Sequence, residues 1–465
     1  MTRFGLSLAL ACLACVRYVP RPLEPARHAA EVRSRDLADS ALVAGVARYA
    51  GRPEGSRWTD RQLAVAALRL RADLRRLRAE WRAAGAAVRT AGERPGAGIR
   101  GELERRVGGR DEGSPWVVAV AGMFALELGG KRGARLQAAR AAVTLAESRL
   151  LAAAWEAASD TRAAAASLAH ASGEVEDARQ EVRFLEELHG LERARYAEAA
   201  LGAAELARTS TEIQDARLSL AEAEHDALAA RAALAGALAV PVRAVESVEP
   251  DIGTPTSCAL LDAAGVDSLA AAALGRRHEV SMSLGEYALA ESRLRLQVAR
   301  QFPDLELGPG FVWDQGVNRW TLALALPALL GSRNRGAIGE AEAAREVAGL
   351  KVAEVQDSVF ADVQSTAQQC RGASLELAAS DSVVAAATRL LERDRTSYQR
   401  GETSRLEPAR TELQLRRAER ARRRAERRLA FAALELERAA GGPSSQASSE
   451  WPDPRQEPEE EVIQP

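Results

Sequence analysis

Three sets of residues in this sequence could do chemistry: four cysteines, five histidines, and carboxylates set one helical turn from an arginine. Met1-Thr2-Arg3 is followed by an apolar run from Phe4 to Cys15, the basic head and short apolar body of a secretory signal, too short to span a bilayer. Within it, Ala11-Cys12-Leu13-Ala14-Cys15 sets a thiol behind small apolar residues, the pattern at which a lipoprotein precursor is cut and its cysteine sulfur acylated. Either Cys12 or Cys15 could be the acceptor, and an ordinary signal with incidental cysteines is the plainer alternative. Downstream only Cys258 and Cys370 remain, too few for a disulfide framework, and the sequence leaves their pairing open. Cys370 shares a seven-residue stripe with Val363, Leu377, Val384 and Leu391, which reads as packing.

The histidines, His28, His170, His189, His225 and His278, show no metal-ligand spacing. There is no nucleophile elbow, and Gly129-Gly130-Lys131-Arg132 lacks the spacing and the hydroxyl of a phosphate-binding loop. No catalytic residue and no cofactor is assigned. Glu407 and Arg410 stand at i, i+3 and could pair on a helix, though a solvated carboxylate is the plain reading of Glu407. The arginines between Arg416 and Arg428 alternate with alanine and glutamate, the pattern of a solvated coiled-coil face.

Composition narrows the setting. The chain has 465 residues, 47% of them hydrophobic but only 4% aromatic, which suits long packed helices better than a compact catalytic core. A net charge of -2 supplies no field for gathering phosphate backbones, so nucleic acid is not an expected partner. No run of eighteen apolar residues offers a helical membrane span.

The elements that must position these residues occur twice. Trp116 and Trp320 each open an apolar run 204 residues apart, and the runs end in Gly130-Lys131-Arg132-Gly133 and Arg333-Asn334-Arg335-Gly336. Tyr196, Glu205, Ala207 and Arg208 match Tyr398, Glu407, Ala409 and Arg410 at a spacing of 202. The repeats are placed at 38–245 and 246–440, after a signal at 1–14 and a leader at 15–37. A Pro-, Ser- and Glu-rich tail at 441–465 is expected to be disordered.

Each repeat carries a strand pair. Trp320, Leu322, Leu324 and Leu326 alternate with small or polar residues, as do Leu305, Leu307, Phe311 and Trp313, with a turn at Asp314 to Asn318. Trp116 to Phe124 repeats the pattern less cleanly, with a partner around Ile99 to Val107. Strands with one greasy face and terminal tryptophans suit a transmembrane barrel, and a soluble half-buried hairpin is the alternative. Four strands cannot close a barrel, and exposed edges are forbidden in lipid, so three copies would supply twelve strands.

Each repeat also carries a long helical hairpin. Val143, Leu150, Ala157, Ala164, Ala171, Ala178 and Leu185 recur every seven residues, and Leu206, Ile213, Leu220, Ala227 and Leu234 do so on the return arm. The outgoing arm, Lys131 to Gly202, would span roughly 105 Å. The return arms are shorter, so the helical stretches Leu63 to Val88 and Ala259 to Val298 are expected to cover the rest. Pro241 to Thr256 reads as a loop. The expected fold class is mainly α with a small β-barrel contribution, a duplicated unit of coiled-coil hairpins and four strands per subunit.

With these motifs, above all Pro303-Asp304-Leu305-Glu306-Leu307-Gly308, Trp320 through Pro327, Arg333 through Ile338 and Gly129 through Arg132, the chain resembles the TolC-type outer membrane factor family. The branch serving heavy-metal exporters, the CzcC-like lipoproteins, is the nearest. In such lipoproteins a Tyr/Pro-rich leader follows the acylated cysteine, so Tyr18, Pro20, Pro22 and Pro25 favour Cys15 over Cys12. The resemblance implies a homotrimer whose barrel sits in outer-membrane lipid and whose helical tunnel crosses the periplasm to an adaptor, or membrane fusion protein, and an inner-membrane pump. It implies a passive efflux duct and not an enzyme, with a periplasmic coiled-coil adaptor or structural lipoprotein as the alternative.

It also implies roles by position. Tyr196, Gly202, Glu205, Tyr398, Gly401, Glu407 and Arg410 fall at the periplasmic tip and gate, Arg410 standing where a second acid is usual. Ala199 matches Gly401 by spacing, so Gly202 is expected to serve as the tip glycine of the first repeat. Trp116, Phe311, Trp313 and Trp320 fall in an aromatic girdle, and Lys131, Arg132, Arg333 and Arg335 at the junction of barrel and helices.

Overall fold

A computed structural model describes residues 18–105, 107, 114–252, 258, 263–314, 316–326, 334–442 and 452–456. The expected signal, the expected lipidation site Cys15 and the expected junction residue Arg333 lie outside the described residues.

Two helical hairpins dominate. The first pairs α5 (Lys131–Ala197, 67 residues) with α6 (Ala203–Leu238, 36 residues), and the second pairs α9 (Arg335–Gln399, 65 residues) with α10 (Leu406–Ala439, 34 residues). At 1.5 Å per residue the outgoing arms run about 100 Å. The seven-residue stripe explains their packing: Leu150, Ala157, Ala178 and Leu185 are buried, as are Ala154, Thr161, Leu168, Val175 and Val182 of a second stripe at the same spacing. Alanine at so many seam positions lets the backbones approach closely.

The upper parts of the long helices are covered as expected, but by broken helices. In the first repeat α3 (Asp60–Leu70) and α4 (Ala72–Gly92) meet at Arg71, and in the second α7 (Ala263–Arg276) and α8 (His278–Ala299) meet at Arg277. Both arginines turn back onto an acid two residues on, Asp73 and Glu279, a further trace of the duplication. Helix α4 lies along α5, and α8 lies between α5 and α9. Two short helices, α1 (Pro25–Ser34) and α2 (Ser40–Ala50), precede α3.

The loop between repeats is more ordered than its prolines suggest. It holds a turn of 3₁₀ helix at Val242–Val245 and strand β4 (Glu249–Asp251), which pairs in parallel with β1 (Arg57–Thr59). Trp58, Leu63, Leu168, Leu234 and Val245 form a core there that ties the start of the chain to its middle. Four further strands form one antiparallel sheet in the order β2 (Gly98–Arg105), β3 (Trp116–Leu126), β5 (Leu305–Asp314), β6 (Val317–Ala325). Pairing of β3 with β5 joins the repeats. No helix among the described residues is long and apolar enough to cross a membrane.

Three side-chain systems go beyond the sequence reading or depart from it. Cys370 does pack, against Ala373 and Ala432, but it is also bonded to Cys258 across 112 residues, with the Cα atoms 5.6 Å apart. Within the tail, where composition predicts disorder, the carbonyl of Pro454 accepts from Arg78 at 2.7 Å and Arg455 pairs with Glu147 at 2.8 Å.

The third is the arginine run of α10, which is no solvated face. Arg420 meets Glu174 and Glu181 of α5 at 3.2 and 2.7 Å, Arg423 meets Asp177 at 2.8 Å, and Arg424 meets Glu174 at 3.0 Å. Arg427 reaches Asp177 and the carbonyl oxygen of His170. This ladder binds the second hairpin to the first. Burial works to raise the Glu174 carboxyl, but the hydrogen bond from Arg424 and the surrounding guanidinium charges outweigh it and hold it below the ordinary carboxylate range. Burial, helped by the charge of Arg427, lowers His170 and keeps its imidazole neutral.

Two outcomes are expected. Without reductant neither Cys258 nor Cys370 should react with a maleimide in denaturant, and serine at both positions should cost about 2–4 kcal/mol of stability, read by urea-dependent proteolysis. Because His170 is lowered, the unfolded chain takes up a proton that the folded chain refuses as pH falls through 6.5, so stability is lost on that side. A second loss, from Glu174, follows only as pH drops below 4.5. Hydrogen exchange of α5 and α10 should therefore quicken relative to intrinsic rates as pH falls below the ordinary histidine range, and His170→Gln should remove that first step.

Candidate functional site

The hairpin tips carry the largest single group of the residues singled out by sequence. At each tip the outgoing helix ends in the same backbone hydrogen-bond pattern: Ala199 and Ala200 N–H donate to the carbonyls of Tyr196 and Arg195, and Gly401 and Glu402 N–H to those of Tyr398 and Ser397. The residue in the left-handed conformation is Gly401 in one repeat, with φ 75°, and Ala199 in the other, with φ 54°. Gly202 is therefore not the tip glycine. It is the residue before α6, with φ -79° and ψ 148°, a conformation that needs no glycine. The first tip instead holds an alanine where its Cβ costs roughly 1–2 kcal/mol. Tyr196 and Tyr398 are both exposed beside these turns.

Arg410 does not pair with Glu407. Its guanidinium crosses to the first repeat, where Nη2 meets Glu192 of α5 at 3.1 Å and Nη1 meets Glu205 of α6 at 3.6 Å. Burial opposes the charge on Arg410, but the hydrogen bond to Glu192 and the charges of Glu192, Glu205 and Glu407 outweigh it and raise its pKa further. No ion-pair partner reaches Glu407 among the described residues. Thr411 donates to Asp394 at 2.6 Å, tying α10 back to α9.

Sequence reasoning missed Glu192, although a signal was present. It stands seven residues past Leu185, at the next position of the apolar stripe, and it is fully buried. His189 likewise follows Val182 by seven. A Glu192 carboxylate oxygen, Oε2, and the Nδ1 atom of His189 are buried without a partner. The last heptad before the tip thus carries two ionisable side chains where the preceding heptads carry alanine, leucine, valine and the single hydroxyl of Thr161.

At the far end of the molecule the sheet has two unlike faces. Register places Leu103 with Val118, Val120 with Phe311, Phe311 with Trp320, and Leu307 with both Phe124 and Leu324 on one side. The other side carries Arg100, Glu102 and Glu104 on β2, and Glu306, Gly308, Gly310 and Thr321 on the strands beyond. Small residues on that side are required by contact: a Cβ on Gly310 would meet Thr321 at 2.8 Å and Ala121 at 3.1 Å. The four aromatic residues gather at the turn end of the greasy side, Phe311 against Trp320 at 5.3 Å edge to face, with Arg105 lying 5.5 Å over the Trp116 ring. Trp320 is 86% exposed in the single chain.

Where the sheet meets the helices, Lys131 pairs with Asp304 at 2.7 Å, joining the two repeats, and Arg132 donates to the carbonyl of Gly92 at the end of α4. Arg135, which sequence reading passed over, pairs with Glu127. Arg335 opens α9 and is exposed. Left-handed Gly129 and Gly130 turn the chain from β3 into α5, and Asn334 does the same before α9. Among the described residues no group of three or more His, Cys, Asp or Glu side chains is placed to hold a metal ion.

No protein-family model matches the sequence, and no curated protein sequence matches it. Solved structures do. The outer membrane protein VceC from Vibrio cholerae is 19% identical, covers 82% of this chain and 96% of its own, and superposes with a TM-score of 0.65. The outer-membrane channel OprN is 17% identical over 91% of this chain and 99% of its own, with a TM-score of 0.67. The open state of the MtrE outer membrane channel of Neisseria gonorrhoeae is 18% identical over 82% of this chain and 88% of its own, with a TM-score of 0.59. At such identities the likeness is one of fold, and this chain has, over nearly their whole length, the fold of outer membrane channels.

Proposed function

We propose that the protein is the outer-membrane channel of a tripartite efflux system of the TolC type, a passive duct and not an enzyme. Three copies form it, anchored through an acylated Cys15, reaching across the periplasm to an adaptor and an inner-membrane pump. Its motifs place it nearest the branch serving heavy-metal exporters. The observation that carries the reading is the two-faced sheet. A continuous apolar side with tryptophans at one end suits lipid, and a side of glycine, threonine and charged residues suits water. Among the described residues its outer strands β2 and β6 each keep an unpaired edge within one chain, which lipid does not tolerate. A disulfide between Cys258 and Cys370 supports an oxidising compartment such as the periplasm.

In this reading the tips form the gated entrance. Arg410 bound to Glu192 and Glu205 clasps the second hairpin to the first, so the entrance stays narrow while the clasp holds. Glu407, just past the tip, is the carboxylate left to bias passing ions toward cations.

Detergent-extracted protein should migrate as a trimer before boiling and as a monomer after it; a monomer in both lanes would exclude the barrel. In planar bilayers Arg410→Ala should raise open probability, because it strands a buried carboxylate at a cost of about 2–4 kcal/mol to the closed form. Replacing Glu192 by glutamine in the same chain should recover part of that loss, as coupled neighbours do. Glu407→Gln should lower the cation preference of the open pore without changing its closing; unchanged selectivity would remove Glu407 from the entrance.

A further inference from the structure

The two repeats cover the same part of their hairpins in different ways. At the repeat spacing of 202, Leu168 of α5 matches Cys370 of α9, and Ala230 and Leu234 of α6 match Ala432 and Leu436 of α10. In the first repeat these positions lie in a core closed by Val46, Trp58, Leu63 and Val245, all from segments outside the hairpin. In the second repeat they cluster with their own hairpin, and among the described residues one residue from outside it joins them, Cys258. A covalent bond from Cys258 to Cys370 thus stands where the first repeat has a tryptophan, a leucine and two valines. No cysteine occurs between Cys15 and Cys258, so the first repeat has no such bond.

The bond is closed off from its surroundings. Cys370 is fully buried and Cys258 is 5% exposed, with Leu429, Ala432, Ala433 and Leu436 of α10 packed about them. Thiol–disulfide exchange passes through a mixed disulfide, so the oxidant must stand against a cysteine sulfur while the bond is made. A packed hairpin leaves no room for it. Yet the bond joins residues 112 apart, with α7, α8, β5 and β6 between them.

We propose that the second repeat is the substrate of a disulfide-bearing oxidant that acts on the open chain, before α10 closes over α9. Cys258, the first of the pair to emerge in an exported chain, attacks as the thiolate. One oxidant sulfur leaves as a thiolate, and a mixed disulfide forms. The Cys370 thiolate then attacks Sγ of Cys258 and displaces the other oxidant sulfur. Two electrons pass to the oxidant, whose disulfide becomes a dithiol carrying the two protons that the chain gave up. Closure of α10 shields the bond from the reverse reaction, and a chain that closes while reduced stays reduced. The inference rests on the exported-lipoprotein reading in one respect: an acylated Cys15 leaves no third thiol to compete.

The test takes the full-length chain, reduced in urea, through two orders of addition. Oxidised glutathione added before transfer to detergent should join Cys258 to Cys370, read from peptide masses after alkylation in denaturant. Added after transfer, it should join them at least roughly tenfold more slowly, because access limits exchange. A thioredoxin-fold protein with an exposed disulfide, used in place of glutathione, identifies the source: faster action on the open chain assigns a protein oxidant, and equal action a small disulfide. A second measurement needs no refolding of reduced chain. In bonded protein in detergent, dithiothreitol should leave the bond intact until urea is added. Equal rates of oxidation in both orders, or reduction in detergent as fast as in urea, would overturn the proposal. Neither readout depends on trimers, so failure of the channel reading would leave these results standing.

Discussion

Hydrocarbon offers a backbone N–H nothing to bond to, and on the proposed membrane reading that constraint decides more of this molecule than any one side chain. Among the described residues the inner strands β3 and β5 are paired on both sides, whereas β2 and β6 each leave a ladder of donors and acceptors open. On the proposed reading only further copies can fill those ladders, so the sheet sets the subunit number before the helices do. The same constraint accounts for where β5 tolerates a proline. Pro309 has no N–H to offer, and the pairing of β3 with β5 lapses between Ala121 and Phe124, beside it, while Pro309 still pairs in register with Leu322 on β6.

On the proposed reading the sheet curves around water and needs small residues on its inner side, and the helices inherit the resulting geometry. Gly308, Gly310, Ala121 and Ala323 stand shoulder to shoulder there, and Gly129, Gly130 and Asn334 then redirect the chain from strand to helix within a few residues. Lys131 bound to Asp304 fixes the entry of α5 against the start of β5, so the register of the strands is passed to the register of the hairpins. From there the seven-residue stripes carry it about 100 Å to the tips.

What the sequence made legible was whatever repeats over short distances. Heptads show the hairpins, alternation shows β5 and β6, and matching tryptophans, glycines and tyrosines show the duplication. What stayed hidden depends on which helix lies beside which. The arginines of α10 find partners such as Glu174 and Asp177 some 246 residues away, and alternation with alanine reads the same whether the far side is water or another helix. The bond between Cys258 and Cys370 has the same character, since spacing says nothing of a contact made across the turn of the chain. Glu192 is the instructive middle case. Its position in the stripe could be read, but only a buried neighbour explains why an acid stands there.

The seam inside the chain and the two helix edges it leaves free, on α6 and α9, stand at matched positions of the repeat and differ in chemistry. The inner seam became a ladder of arginine and carboxylate, and the edges kept Leu218, Leu375 and Val383. A ladder formed within one chain is made as the chain folds, so its charges select between hairpins already tethered together. An arginine face set instead against the α9 edge of another copy would bury guanidinium groups opposite leucine and valine, an arrangement that desolvation penalises heavily. Helix α6, with no such run, can pack there. The charge ladder therefore does more than bind the two hairpins. On the proposed oligomeric reading it leaves α6 as the helix suited to a neighbouring copy.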